Sequence, residues 1–326
     1  SEITFNVAPR TKALSQTQTD FDHNNVFVSY AYYLGHGKTW AANNSEAQMY
    51  IDGSTISYNG NLWKNETTSY YWPKDGGSLT FFAYSYNKKD MTVGDNSGFA
   101  CVWALGEDGQ YQGGITGHFD VATNKNVDFL VADIAADKTE NENSYAHTGV
   151  PTLFRHKLSM VNVAANLAED YANKKFILNS VKFTNLCHYA TYSQIPEKMI
   201  PGGNMFLSDQ VYAENVGFEV KSGGLIAVPA EIKKGAGVED GQYIYIPQEF
   251  NDDSYIVITY TVETVVGNKV VKEECTKPVK VKDVFPKWEM GHRYTFNLTF
   301  SLNEIHWDPA VENWIDDEAG NITIDR

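Results

Sequence analysis

The residues of this chain whose types and spacing could bind a metal lie close to its C-terminus. Glu304, His306 and Asp308 alternate along a candidate strand, so all three would project from one face. Carboxylate and imidazole groups are ligands that zinc accepts. The same pattern is typical of a solvated strand face opposite Ile305 and Trp307. We favour this second interpretation and expect no metal.

The motifs of the common enzyme classes are missing from the sequence. It contains no G-x-S-x-G, H-E-x-x-H, P-loop or G-x-G-x-x-G, which are signatures of hydrolases, metalloproteases and nucleotide-binding enzymes. A glycosidase needs two carboxylates about 5–10 Å apart. The 41 acidic residues offer too many candidate pairs to select one. We therefore predict that the protein is not an enzyme and needs no cofactor.

Aromatic side chains offer a different chemistry, because their rings can stack on sugars. Trp40, Trp63, Trp103 and Tyr111 fall near Gly-rich or Asn-rich turns, where exposed rings would contact a glycan. Rings scattered through a β-rich chain are more often part of a core. A surface glycan-binding protein with a β-sandwich fold is therefore the alternative function, and these four residues are its candidate contacts.

Composition limits both the partners and the architecture. The 326 residues carry a net charge of −15, which disfavours nucleic acid because its binding depends on Lys and Arg. The length suits two domains of about 150 residues each. The sequence has no run of about eighteen apolar residues, so we predict no membrane span. It begins at Ser1 without Met or an apolar leader, so either the protein is cytoplasmic or a leader was removed, and the missing Met favours removal.

The segments that would carry the candidate residues show apolar and polar side chains in alternation, a period of two residues. The segments 25–34, 255–264 and 294–307 place apolar side chains on one face and polar ones on the other. Such alternation indicates half-buried antiparallel strands. Helical signal is confined to 45–50 and 196–200. The chain is therefore predicted to be all-β.

The most aromatic stretch, SYYWPKDGGSLTFFAYSY (69–86), predicts a central strand. Its second half carries large apolar residues on both faces, so both faces need to be covered. The D-G pair at 75–76 predicts a hairpin turn before this strand, and the G-N pair at 267–268 predicts another.

A polar stretch, DKTENENSYAHTG (137–149), separates two strand-rich blocks. We therefore predict a domain boundary near residue 150. An N-terminal β-sandwich domain would span residues 1–150 and a C-terminal one residues 151–326.

The first residues form a candidate strand that could leave its sheet. Ile3, Phe5 and Val7 alternate on one face of EITFNV and precede a long polar segment. Arg10 in that segment, or alternatively Lys12, would give a trypsin-like protease an accessible cut. We expect this strand at a sheet edge, where the burial of its three apolar side chains contributes about 5–9 kcal/mol before entropy. The pattern also fits an ordinary first strand followed by an ordinary loop.

These stretches together resemble the fimbrillins and fimbrillin-like (Mfa-like) surface proteins of Bacteroidota. ITFNV…RTKAL is similar to that family's first strand and Arg-containing processing segment, and YYWPKDGGSLTFFAYS to its aromatic hairpin. DFLVADIAA followed by VPTLFRHKLSMVNV matches the passage across the family's domain boundary. YIYIPQEF, WEMGHRYTFNLTF and IHWDPAVENW resemble its closing elements.

The resemblance implies two transthyretin-like antiparallel β-sandwich domains in tandem. It also implies a stalk, tip or anchor subunit of a surface pilus that contributes to cell adhesion. Such proteins are exported to the cell surface and outer membrane as lipoprotein precursors, with the membrane reached only through a lipid anchor on a removed N-terminal segment. Cleavage after Arg10 would release the first strand and open a groove for a strand of another pilus subunit. Host or bacterial surface receptors are the further partners implied.

Overall fold

The computed structural model describes residues 1–7, 21–94, 96–140, 149–202, 206–211, 218–220, 225–226, 230–235, 238–302, 305–307 and 309–313. Most of them lie in strands, and the all-β prediction is confirmed. The helices are short: α1 (Trp40–Asn43), a 3-10 helix (Asn44–Glu46) and α2 (Val281–Val284). Within these ranges, no helix has the length and apolar character needed to cross a membrane.

The strands are numbered in chain order. They are β1 (Phe5–Val7), β2 (Phe27–Leu34), β3 (Gln48–Tyr58), β4 (Trp63–Asn65), β5 (Ser78–Ser85), β6 (Gly98–Leu105), β7 (Tyr111–Asp120), β8 (Leu130–Ala132), β9 (Ala135–Lys138), β10 (Val150–Thr152), β11 (Phe154–His156), β12 (Ser159–Leu167), β13 (Lys174–Cys187), β14 (Tyr189–Ile195), β15 (Lys198–Pro201), β16 (Phe206–Val211), β17 (Phe218–Val220), β18 (Leu225–Ile226), β19 (Ala230–Ile232), β20 (Val238–Tyr245), β21 (Gln248–Glu249), β22 (Tyr255–Val266), β23 (Lys269–Lys280), β24 (Lys287–Trp288), β25 (His292–Phe300), β26 (Ile305–Trp307) and β27 (Ala310–Asn313).

The chain folds into two compact units. The first comprises Ser1–Leu158 together with Ala190–Ile200, and the second comprises Ser159–Tyr189 together with Pro201–Asn313. The segment Ala190–Ile200 thus belongs to the first unit, although it lies in the second half of the sequence. No change of composition distinguishes this segment in the sequence.

The largest sheet of the first unit curls back on itself. Its strand order is β10-β1-β4-β3-β2-β5-β8-β11, and β9 also pairs with β5. β10 and β11 are the two ends of this order, yet a single residue, Leu153, separates them in sequence. The sheet therefore closes almost into a barrel around an apolar core. The core includes Ile3, Phe5, Phe27, Ile56, Trp63, Leu79, Phe81, Val150 and Phe154.

β5 is the central strand of the first unit, as the sequence predicts. All eight of its residues are buried. Leu79, Phe81 and Ala83 face the core of the curled sheet. On the other face, Phe82 and Tyr84 contact Trp103 and Phe99 of a second sheet, ordered β15-β14-β7-β6. The hairpin expected at 75–76 is wrong, because β4 pairs with β1 and β3 whereas β5 pairs with β2, β8 and β9.

The second unit contains two larger sheets and a two-stranded one. Their orders are β18-β17-β20-β12-β25-β26, with β27 also on β25, then β16-β13-β22-β23, with β19 on β13, and β21-β24. The hairpin predicted at 267–268 is confirmed: Val266 pairs with Lys269, and Gly267 has a φ of +61°. The single strand expected at 294–307 is divided into β25 and β26, which pair antiparallel.

Aromatic side chains organise the core of the second unit, and Phe183 lies among them. It is 0% exposed, and its ring meets those of Trp288 and Phe296 edge to face at 5.7 and 5.3 Å. We expect Phe183→Ala to lower the free energy of unfolding by about 3–5 kcal/mol, because it removes buried surface and leaves a cavity. Urea denaturation followed by circular dichroism measures this change. Val270→Ala is the control, since Val270 is 54% exposed, and equal effects of both substitutions would contradict the assignment.

Candidate functional site: the seat of the first strand

β1 lies between two strands of the curled sheet. It pairs in parallel with β10, where Phe5 is opposite Val150, and antiparallel with β4, where Phe5 is opposite Trp63. The expectation of an edge strand is therefore wrong. The physical reason is a parallel partner from the far end of the unit, which the period-two pattern of β1 cannot reveal. β10 takes the edge instead, and its Pro151 fits there because proline has no N–H to donate.

The backbone ladders that hold β1 are short. Its pairing with β10 covers three residue pairs, and its pairing with β4 covers one. The amide of Val150 donates to the carbonyl oxygen of Thr4 at 2.8 Å, and the amide of Ile3 donates to the carbonyl oxygen of Tyr70 at 2.8 Å. Before β1, Glu2 forms an isolated bridge with Tyr71, and the amide of Trp72 donates to the carbonyl oxygen of Ser1 at 3.1 Å. The backbone attachment of the N-terminal residues is thus divided among several short contacts.

The side chains of β1 and of the residues before it are deeply buried. Ile3 is 0% and Phe5 is 3% exposed, whereas Val7 is half-buried. The Phe5 ring packs edge to face on Phe27 and Phe81, with centroids 5.6 and 5.8 Å apart. Burial of Ile3 and Phe5 contributes about 3–6 kcal/mol together. This is less than the sequence-based figure, because Val7 keeps part of its surface in water.

One glycine allows the chain to pass close to β1. Gly149, directly before β10, has a φ of +100°, which favours glycine. A Cβ atom at this position would lie 2.6 Å from the carbonyl carbon of Phe5 and 2.9 Å from its Cα atom. Both the conformation and the space therefore require glycine. The sequence offers this residue only as the end of a polar stretch, and its role was not predicted.

The two residues expected at the processing site, Arg10 and Lys12, lie outside the described residues. The description ends at Val7 and resumes at Phe21. Phe21 is buried and stacks on Phe154 of β11, with ring centroids 4.8 Å apart. The segment that contains Arg10 is therefore bounded on both sides by side chains of the same apolar core.

Trp63, one of the four candidate glycan contacts, belongs to this core. It is 5% exposed, and its ring lies 5.5 Å from Phe21 and 5.8 Å from Phe27. A buried indole presents no face to a sugar. Its position opposite Phe5 makes it part of the seat of β1 instead.

The structure brings the other three candidate glycan contacts together. The Trp40 and Trp103 rings lie 4.7 Å apart, the Trp103 and Tyr111 rings lie 6.2 Å apart, and all three are half-buried. The indole Nε1 of Trp103 donates to the carbonyl oxygen of Asn44 at 2.9 Å, which engages its single donor. Burial raises the pKa of the Cys101 thiol in the same strand to about 12, so it stays protonated. These contacts are those of a packed cluster between α1 and β6.

The structure describes the candidate metal ligands only in part. Glu304 and Asp308 lie outside the described residues, and of His306 only the backbone position in β26, opposite Thr299, is described. Across the residues that are described, no group of three or more His, Cys, Asp and Glu side chains is arranged to hold a metal ion.

The requirement for glycine at position 149 can be tested directly. We expect Gly149→Ala to destabilise the first unit by at least about 1–3 kcal/mol, because a left-handed φ alone costs that much for a residue with a Cβ atom. Differential scanning calorimetry measures the change. Gly35→Ala is the matched control, since Gly35 has an ordinary φ and nothing within 4 Å of its added Cβ atom. Similar melting temperatures for the two variants would refute the close approach of Gly149 to Phe5.

Both the sequence and the fold of this chain are similar to those of known proteins. The profile of a protein family described as Fimbrillin-like matches residues 11–314. No curated protein matches the chain. A fimbrial protein from Bacteroides vulgatus ATCC 8482 has a similar structure, with a TM-score of 0.69 and 18% sequence identity over 96% of this chain and 99% of that one.

A proposed cell adhesion protein from Bacteroides uniformis ATCC 8492 has a TM-score of 0.52 and 14% identity, again over 96% of this chain and 99% of that one. At such identities these two likenesses concern the fold alone. The family profile, by contrast, spans well over half of the sequence. The chain therefore belongs to the fimbrillin-like family.

Proposed function

We propose that this protein is a structural subunit of a surface fimbria and contributes to cell adhesion. Membership of the fimbrillin-like family supports this role. The observation that carries the proposal is the unequal attachment of β1, whose side chains are deeply buried while its backbone ladders are short. Such a strand can be replaced by another that offers the same side chains.

Departure of β1 would leave a slot between β4 and β10. The backbone groups of both strands would lose their partners there, and the pockets of Ile3 and Phe5 would be empty. A strand from another subunit that carries apolar residues two positions apart would fill the pockets and fix its own register. If the incoming strand runs in the direction of β1, it restores both the parallel and the antiparallel pairing.

Proteolysis between β1 and Phe21 would make this exchange favourable. In the intact chain, the segment 8–20 keeps β1 at a high effective concentration beside its slot. A cut after Arg10, or alternatively after Lys12, removes that tether without disturbing the core. An incoming strand then has to outweigh only the roughly 3–6 kcal/mol that burial of Ile3 and Phe5 contributes.

Membership of the fimbrillin-like family supports a further proposal about export, partners and position in the fimbria. We propose that the protein is exported as a lipoprotein precursor and reaches the outer membrane through a lipid on a preceding segment. Other fimbrial subunits are its partners, and its position is that of a stalk, tip or anchor. The two compact units, the first of which includes Ser1–Leu158, are proposed to be transthyretin-like β-sandwich domains.

Digestion with an Arg-specific protease tests strand exchange. The chain contains four Arg residues, Arg10, Arg155, Arg293 and Arg326. We expect cleavage after Arg10 to release the first strand and to produce oligomer ladders that resist SDS without heating and collapse on boiling. Gel electrophoresis and mass spectrometry of the new N-terminus provide the measurement.

Two variants serve as controls for the digestion. Arg10→Ala should stay monomeric, whereas Arg155→Lys, which keeps a cation beside Asp133, should form ladders like the unchanged chain. Lys12→Ala combined with a Lys-specific protease tests the alternative site in the same way. A chain that loses residues 1–10 completely and remains monomeric at high concentration would contradict exchange.

A further inference from the structure

A groove open to solvent lies on the first unit, beside the first residues of the chain. Its volume is about 410 Å³, and it runs between the start of β3 and the segment 73–75. Binding sites for small molecules commonly have volumes of roughly 300–1,000 Å³. None of the residues expected from the sequence to contact a glycan lines this groove.

Two tyrosine rings form one wall of the groove. Tyr33 and Tyr50 lie with their centroids 6.4 Å apart and their planes inclined by 29°. Tyr50 is 37% and the adjacent Met49 39% exposed, so apolar surface faces water here. The hydroxyl of Tyr50 donates to the carbonyl oxygen of Tyr71 at 2.5 Å, and that of Tyr33 donates to the carboxylate of Asp75. These bonds fix the orientation of the rings. Tyr33 is half-buried and packs against the core, so the contact surface that the pair offers to a ligand belongs to Tyr50.

Polar groups of three kinds line the same groove. The Asp75 carboxylate accepts hydrogen bonds from the Tyr33 hydroxyl and, at 2.9 Å, from the Gly77 amide. The bond from Tyr33 first, and that from Gly77 second, hold the pKa of Asp75 below its ordinary value, so the carboxylate stays ionised at neutral pH. Each carboxylate oxygen retains acceptor capacity. Lys74 adds a donor, and the amide of Gln48 can both donate and accept.

The glycine pair at 76–77 has a structural use at this groove. A Cβ atom on Gly77 would lie 2.3 Å from Cε2 of Tyr33 and 2.7 Å from the carbonyl oxygen of Leu34. Only glycine at this position lets the Tyr33 ring reach the carboxylate of Asp75. The turn at 75–77, which the sequence predicts as a hairpin turn, therefore positions the Tyr33 ring beside the groove.

The combination of surfaces matches a pyranose ring. One face of a pyranose carries C–H groups and packs flat on an aromatic ring, while the hydroxyls at its rim are both donors and acceptors. Asp75, Lys74 and Gln48 supply the acceptor, the donor and the mixed group that such a rim requires. A purely apolar ligand would strip water from these polar groups without replacing their hydrogen bonds. A polyanion would meet an ionised carboxylate and a net charge of −15.

We propose that this groove binds a neutral pyranose saccharide, stacked on Tyr50 and hydrogen-bonded through its hydroxyls to Asp75. The site goes beyond the proposed fimbrial role and does not depend on strand exchange. A cell-surface glycan with such a residue at its exposed end is the ligand class that fits an open, shallow groove.

Saturation-transfer NMR on the intact chain tests the proposal. The probes are the methyl pyranosides of glucose, galactose and mannose at millimolar concentration, and an array of neutral and acidic glycans extends the search. We expect binding of at least one neutral pyranose. Tyr50→Ala should weaken it about tenfold or more, because it removes the stacking surface, and Asp75→Asn should weaken it through the lost acceptor charge.

Matched variants keep the outcome decisive. Tyr50→Phe retains the ring but loses the bond to the Tyr71 carbonyl oxygen, so its affinity should lie between those of the unchanged chain and Tyr50→Ala. Circular dichroism establishes that each variant is folded. Tyr111→Ala, in the cluster between α1 and β6, should have no effect. Loss of binding in Tyr111→Ala with retention in Tyr50→Ala would place the sugar elsewhere and overturn the proposal. Failure of the unchanged chain to bind any neutral glycan, or binding to acidic glycans alone, would overturn it as well.

Discussion

The packing of Phe5 against Phe27 and Phe81 is the interaction on which the first unit depends. β1 joins β4 to β10, and β10 in turn is one residue away from β11 at the other end of the strand order. The ring of Phe5 therefore lies where the curled sheet closes. Without β1, β4 and β10 have no shared neighbour, and the apolar core between them meets water.

The backbone pairing of β1 and the burial of its side chains have different roles in holding the strand. Backbone ladders of three and one residue pairs contribute a few kcal/mol, because each hydrogen bond nets about 0.5–1.5 kcal/mol. Burial of Ile3 and Phe5 contributes a similar amount and also demands a fixed spacing of two residues. Any strand that replaces β1 is therefore recognised by its side chains, and its backbone completes the sheet only after the pockets are filled.

Local patterns predicted the parts of the fold that local forces decide. Alternation in 255–264 with the Gly267 turn predicted the β22–β23 hairpin, and large residues on both faces predicted the buried β5. The neighbours of β1 could not be predicted, since Val150 and Trp63 are distant in sequence and their pairing reflects the closure of the whole sheet. The aromatic residues show the same limit: composition identifies Trp63, but only the fold shows that it is buried.

The segment 70–75 connects the seat of β1 with the groove. The carbonyl oxygen of Tyr70 accepts the Ile3 amide at 2.8 Å, and the carbonyl oxygen of Tyr71 accepts the Tyr50 hydroxyl. One stretch of backbone thus supports the N-terminal residues on one side and orients a groove tyrosine on the other. The Tyr50 ring is thus oriented in the intact chain, before any strand is exchanged. Saccharide binding and strand exchange are therefore separate properties of the first unit, and each can be tested without the other.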